Sequence, residues 1–277
     1  MGTRPVELAA LLASVESQTV KVAKAVVVGN GCSLPEDLPP WVERVELPEN
    51  LGVTGGRNAA LERLRDVDLV LDLDDDGLLV ANDVVARITD LYEADSRLGI
   101  VSFRIADETG FTARRHVPRL RAGDPMRGGY VTTFLGGAHV LSTRMLAQVG
   151  DWPDAFFFAH EETDMAWRAL DADWRILYEP QLLLRHPRTS PARHAIFYRA
   201  NARNRVYLAR RHLPAALVPL YLGVWVALTL VRTRDLAGLR TWFAGFTEGW
   251  RTPCGGRQPM RWHTVWTMTR LGRPPVI

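Results

Sequence analysis

Asp68-Leu-Val-Leu-Asp-Leu-Asp-Asp-Asp76 is a β run, Asp68 to Leu73, that ends in three consecutive carboxylates. Its surroundings decide what kind of sheet it belongs to. Upstream, Val6 to Ser17 puts Leu8, Leu11, Leu12 and Val15 on one helical face, and Ala25 to Val28 is a short apolar run ending in Gly29-Asn30-Gly31. Residues 34–41, with Pro35, Pro39 and Pro40, read as a loop, and Val42 to Leu47 alternates as a strand. Asn50 to Asn58 is turn-rich and opens a helix from about Ala59 to Leu64. Strands alternating with helices predict an α/β fold, a Rossmann-like and mostly parallel sheet with helices on both faces. No internal repeat or low-complexity tract interrupts the chain.

The chain has 277 residues, 47% hydrophobic and 23% charged, which excludes disordered and collagen-like classes. Two distant cysteines, Cys32 and Cys254, supply neither a disulfide framework nor a paired-cysteine zinc site, and point to a reducing compartment. The charge is divided unevenly. Residues 1–180 hold 18 Lys+Arg against 29 Asp+Glu, and residues 181–277 hold 16 Arg against only Asp235 and Glu248. Such a basic half suits an anionic membrane surface or nucleic acid. Nucleic acid is the weaker reading, because the chain has only two lysines, Lys21 and Lys24, the bias that G+C-rich coding produces. The uncharged run Leu213 to Val231, 19 residues flanked by Arg210, Arg211, Arg232 and Arg234, favours the membrane. Pro214 and Pro219 weaken its first turns, so a spanning helix and one lying in the interface both remain open, as do a buried core helix and a contact between copies in a homo-oligomer. The first 20 residues carry Glu7 and Glu16 and do not read as a signal peptide, so the expected location is cytoplasmic, peripheral or monotopic on the inner face of the membrane.

In sheets of this type ligands sit beyond the carboxyl ends of the strands, and residues 29–33, 50–58 and 74–76 all fall at that edge. Asp74 and Asp76 flank Asp75 where their oxygens would ligate a hard divalent cation, itself able to bridge to substrate phosphates; a solvated acidic turn is the plainer alternative. A second cluster, Phe156-Phe-Phe-Ala-His-Glu-Glu-Thr-Asp-Met-Ala-Trp-Arg168, sets three aromatics before Glu161, Glu162 and Asp164 at the start of a helix. First-turn carboxylates favoured by the helix dipole, with Asp164 and Arg168 paired four apart, explain it structurally. A carboxylate in apolar surroundings would alternatively serve as a general base.

Taken together, Asn50-x-Gly-x-x-x-x-Arg-Asn58, the strand into Asp74-Asp-Asp76, Gly136-Gly137, Val149-Gly-Asp-Trp-Pro-Asp-Ala-Phe-Phe157, Glu161-Glu-x-Asp-x-x-x-Arg168 and His186 resemble a family 2 glycosyltransferase of the GT-A fold over roughly residues 1–212. The segment Arg203-Asn-Arg-Val-Tyr-Leu-Ala-Arg-Arg-His-Leu-Pro214 is similar to the rhamnosyltransferase-like branch that builds bacterial cell-surface polysaccharides. The resemblance implies a GT-A domain over 1–212 and a helical, membrane-associating region over 213–277. It makes Asp74, Asp76 and His186 the ligands of Mn²⁺ or Mg²⁺, and places Thr3, Arg4, Asn30, Arg57, Asn58, Asp74, Asp75, Gly136 and Gly137 around a dTDP-, UDP- or GDP-linked sugar. Glu162, with Glu161 and Asp164 as rivals, would deprotonate a hydroxyl of a saccharide or lipid-linked saccharide acceptor, with inversion at the anomeric centre.

Three features depart from the family pattern. Gly29 stands where an aspartate usually contacts the base, the Glu-Asp pair reads Glu161-Glu162, and the first strand is missing before Thr3-Arg4-Pro5, so about 6 to 10 further apolar residues are expected upstream of Met1. These departures keep a catalytically silent membrane-bound relative in view. A nucleotidyltransferase is the other alternative, with no need of the 161–168 cluster.

Overall fold

The computed structural model describes residues 4–120, 123–188 and 195–277. The chain opens with α1 (Pro5–Glu16), β1 (Ala25–Asn30), β2 (Val42–Leu47) and α2 (Gly52–Arg63), then β3 (Leu69–Leu73), β4 (Leu78–Leu79), α3 (Val84–Ala94) and β5 (Leu98–Ala106). After an irregular stretch come β6 (Gly129–Tyr130), β7 (Ala138–Ser142), α4 (Thr143–Val149), α5 (Glu161–Asp171) and β8 (Arg175–Arg185). Four helices end it, α6 (Ala195–His212), α7 (Leu217–Arg232), α8 (Leu236–Arg251) and α9 (Trp262–Arg270).

The fold is mixed α/β. β1 and β2 form a parallel two-stranded sheet, and a second sheet runs in the order β3-β7-β5-β8-β4, with β6 paired to β8. As expected of a mostly parallel sheet, the long strands β3, β5 and β8 run in one direction, and β7 is the exception, antiparallel to both β3 and β5. The reason lies in the connection. A parallel partner is reached through a crossover helix, but β7 follows the irregular stretch after β5 and is free to return in the opposite direction.

Both faces of the larger sheet are covered. Along β5 and β7, Ile100 and Leu141 pack into one core with Met165, Trp167 and Val206, while Val101, Phe103 and Val140 pack into another with Val84 and Ile88 of α3. The first core continues beyond residue 212, taking in Leu213, Tyr221, Leu222, Met260, Val265 and Met268. No helix among the described residues is long and apolar enough to cross a membrane. Pro214 lies in a turn before α7, which leaves 16 helical residues, about 24 Å against the ~30 Å of a bilayer core.

Helix α2 begins earlier than its sequence suggests, because two asparagines define its start. Asn50 Oδ1 accepts from the Gly52 N–H at 2.9 Å, and Asn30 accepts from Leu51 N–H at 2.9 Å while donating to the Gly52 carbonyl at 2.7 Å. The glycines that read as a turn are thus held in helix by their neighbours, against their intrinsic propensity.

Candidate active site

Strand β3 delivers the acidic turn to the end of the sheet, and the end of β8 delivers His186 beside it. Oxygens of Asp74 and Asp76 and a ring nitrogen of His186 all lie within 4.8 Å of one another. His186 Nε2 is 3.1 Å from Asp76 and 3.7 Å from Asp74, and its backbone N–H donates to the Ala106 carbonyl at 2.8 Å. Hydrogen bonds to the two carboxylates raise the imidazole to a pKa of about 10. Burial opposes ionisation of Asp74 and Asp76, but His186 outweighs it and both are held below the usual carboxylate range. Two carboxylate oxygens and one imidazole are a donor set suited to Mn²⁺, and to Mg²⁺ through the oxygens. Arg4 also reaches this turn, its guanidinium touching Asp76 and lying 3.8 Å from Asp75. Thr3 lies outside the described residues.

Gly136 and Gly137 occupy the space between the acidic turn and the start of α5. The Gly137 carbonyl accepts from Asp74 N–H at 3.0 Å, and Leu135 N–H donates to the buried Ser102 hydroxyl at 3.1 Å. A Cβ on Gly137 would sit 2.8 Å from Asp74 Oδ2, and one on Gly136 would overlap Glu162 Oε1. Asp74 and Glu162 therefore press on adjacent residues, whose Cα atoms are about 3.8 Å apart. A side chain at either glycine would have to displace one of these carboxylates.

The three carboxylates of α5 have distinct surroundings. Asp164 is fully buried, with His212 at 2.5 Å, Arg168 at 2.8 Å and Arg211 at 2.9 Å. Burial opposes its charge, and those three groups nevertheless hold it far below the usual carboxylate range. Glu161 is 3% exposed, 3.6 Å from Arg57, and has one oxygen without a partner. Burial first, and Glu162 next, push its carboxyl well above the usual range. Glu162 alone of the three is only partly buried.

Positions Phe157, Ala159 and His160, just before α5, all have φ between 60° and 70°. Side chains other than glycine rarely adopt that backbone, and the segment keeps it because α6 holds it. The buried Asn204 donates to the carbonyls of Phe156, Phe158 and Ala159 at 2.7–2.9 Å, and Arg203 donates to Phe156. The sequence gives no signal of this clamp beyond the Arg203-Asn204 pair itself.

Arg57 and Asn58 lie beneath this surface. Arg57 pairs with Asp72 at 2.9 Å, donates to the Gly136 carbonyl at 2.6 Å and lies over the Trp152 ring. Burial works against its charge, but Asp72, Glu162, Glu161 and Asp74 hold it more firmly charged than usual. Asn58 is engaged with the backbone of Trp152 and with Asp154, and Asn30 with the start of α2. A Cβ at Gly29 would overlap the Cys32 carbonyl, so this turn has no place for an aspartate. Two residues unassigned from sequence belong to the site. Asp72 faces Arg57 from β3, and its signal was a lone carboxylate in an apolar strand; His116, whose pKa burial lowers to about 4, is near enough to feel the charges of His186 and Asp74.

No protein-family model matches the chain, and no curated protein matches it in sequence. Solved structures do match in fold. GalNAc-T7 with UDP, GalNAc and Mn²⁺ aligns at TM-score 0.61 and 12% identity over 87% of this chain and 52% of its own. TarS of S. aureus aligns at 0.62 and 16% over 89% and 46%, and the mannosyltransferase PcManGT of Pyrobaculum calidifontis, in complex with GDP-Man and Mn²⁺, at 0.59 and 16% over 98% and 82%. The chain thus spans about half the length of the first two. At these identities the likeness establishes the fold, which is that of these glycosyltransferases.

Proposed function

We propose that the chain is a metal-dependent glycosyltransferase moving a sugar from a nucleotide-diphosphate donor to a saccharide acceptor. The observation that carries this reading is Gly136-Gly137, which sets a cation-binding carboxylate, Asp74, and a solvent-accessible carboxylate, Glu162, against adjacent residues. A sugar transferase needs these two functions side by side.

Asp74, Asp76 and His186 would hold Mn²⁺ or Mg²⁺, and the bound cation would offset the charge of the departing diphosphate. Glu162 accepts the proton of the acceptor hydroxyl. The freed oxygen attacks the anomeric carbon from the side opposite the diphosphate, whose bond to carbon breaks, so the anomeric configuration inverts. Glu161 is buried beside Arg57 and Asp164 stays locked in its ion cluster, which leaves Glu162 for the acceptor. The loop 156–160, clamped by Asn204, fixes where α5 starts and so where Glu162 points. Arg57 and Asn58 support the donor side from below, with Arg4 and Asp75 at its rim.

The acceptor side is read as facing a membrane. Leu230, Val231 and Leu236 are 53%, 76% and 72% exposed, and Trp250, Trp262 and Trp266 are exposed among arginines of α8 and α9. That composition suits insertion into an anionic interface without a span. It supports a lipid-linked saccharide acceptor and, with the resemblance of residues 203–214, a rhamnosyltransferase-like role in cell-surface polysaccharide synthesis. Flotation with anionic liposomes tests it: a full chain with Trp250, Trp262 and Trp266 changed to Ala that floats as well as the parent would contradict it.

A catalytically silent relative is the second reading, favoured by one observation, the Arg4 guanidinium on Asp76. Radiolabelled transfer from UDP-, dTDP- and GDP-sugars, with and without Mn²⁺, separates the two.

A further inference from the structure

A small cavity, about 60 Å³, opens between α5, α6, α7 and the C-terminal segment. Thr163, the residue after Glu162, lines it, as do Thr132, four residues before Gly136, and His160. Two arginines complete the wall, Arg205 from α6 and Arg273. Arg205 lies flat over the Trp225 ring at 3.2 Å and donates to Asn201 at 2.9 Å. Among the described residues no carboxylate lies within 4 Å of either arginine, in contrast to Arg57, Arg168 and Arg211.

Nor does this half of the chain hold a side-chain carboxylate in reserve. Of the two in residues 181–277, Asp235 caps α8 through the N–H groups of Ala237 and Gly238, and Glu248 pairs with Arg199 and Arg203. Three residues of its wall, Thr132, His160 and Trp225, each also hold a polar atom sealed from water without a hydrogen-bond partner: Thr132 Oγ1, His160 Nε2 and Trp225 Nε1. Thr132 is only 2% exposed. A native interior rarely leaves several such groups unanswered, and two guanidiniums without a counter-charge raise the cost further. Burial lowers the pKa of Arg205 and of Arg273, and burial first, then these two arginines, lower that of His160.

We infer that this cavity binds a phosphoryl group carried by the acceptor, held by Arg205 and Arg273 and hydrogen-bonded by Thr132, His160 and Trp225. Guanidinium forks suit phosphate oxygens. The inference rests on the glycosyltransferase reading, and names the chemistry of its acceptor: a phosphate-bearing saccharide, placed by its anion so that its hydroxyl meets Glu162.

Tryptophan fluorescence of the full chain, titrated with inorganic phosphate in EDTA so that the acidic turn cannot draw the anion through a metal, tests it. Saturable quenching is expected, at least about tenfold weaker in Arg273→Gln and in Arg205→Gln. Asp76→Ala should leave it unchanged. Thr132→Val, a milder change, should weaken it in a chain that melts as the parent does, in case an arginine variant fails to fold. Vesicles of phosphatidylglycerol separate a membrane headgroup from the acceptor's own phosphate: their binding should persist in Arg273→Gln. Phosphate that does not bind, or binds equally to all variants, overturns the assignment, and so does vesicle binding that falls with Arg273→Gln while phosphate binding does not. Donor binding lost in Arg273→Gln would place the cavity in the donor site and also overturn it. If phosphate binds as described but no sugar nucleotide is turned over, the anion site stands and the glycosyltransferase reading fails separately.

Discussion

Arg57 and Arg205 are both withdrawn from the surface, and neighbouring positions of α5 reach toward each, Glu161 to the first and Thr163 to the second cavity wall. Arg57 is answered by Asp72 and Glu161 and fixed to the Gly136 carbonyl, whereas Arg205 is answered by an aromatic face, an amide and the Tyr221 hydroxyl, none of them an anion. The difference separates groups that hold the protein together from groups that await something else. The same division runs through the carboxylates: Asp164 has three cationic neighbours and belongs to the fold, and Glu162, only partly buried, is the one proposed as the base.

The sharpest way to break this comparison is to exchange the two carboxylates' fates. Glu162→Gln should lower turnover by about 10²–10⁴-fold, the range of a lost general base, with donor affinity unchanged in a binding titration. Asp164→Asn should instead cost about 3–5 kcal/mol of stability in denaturant unfolding, because it leaves cations buried without their partner. Should Asp164→Asn melt as the parent does and lose only turnover, the assignment of roles is reversed. Gly136→Ala, which drives a methyl into Glu162 Oε1, should reduce turnover about tenfold or more with little change in Tm, since misplacement of a reacting group is costly for rate.

The smallest effect is graded with pH. His186 has a pKa of about 10 between its two carboxylates, so a cation must displace its proton. Apparent Mn²⁺ affinity should therefore rise with pH by up to about tenfold per unit until pH approaches that value, with proton release seen by calorimetry in buffers of different ionisation heat. In His186→Gln the slope should flatten.

Much of the framework is legible because it is local. β2 spans Val42–Leu47 as its alternation indicates, β3 runs into the acidic turn, and α5 begins at Glu161. What is not legible depends on distant partners. The start of α2 at Gly52 is set by Asn30 and Asn50, and no propensity of the glycines themselves reveals it. The antiparallel entry of β7 follows from an irregular connection whose path has no sequence period. Arg57 reads as a phosphate ligand from its place in a motif, but its surroundings bury it against Asp72, which sits across the ladder from His139. Likewise the left-handed residues before α5 lie in a segment whose carbonyls at Phe156, Phe158 and Ala159 are held by Asn204, 45 or more residues later in the chain.

The central claim is a donor site built on Asp74, Asp76 and His186, and a thermal melt with UDP-, dTDP- and GDP-sugars, with and without Mn²⁺, tests it most directly. Binding to the native state stabilises by about 2.7 kcal/mol at a hundredfold excess over Kd, well within reach of a melt. At least one sugar nucleotide should raise Tm with Mn²⁺ present, the rise disappearing in EDTA and in Asp76→Ala. A sugar nucleotide that stabilises the protein equally in EDTA, or a panel in which none stabilises it at any metal concentration, would contradict the account.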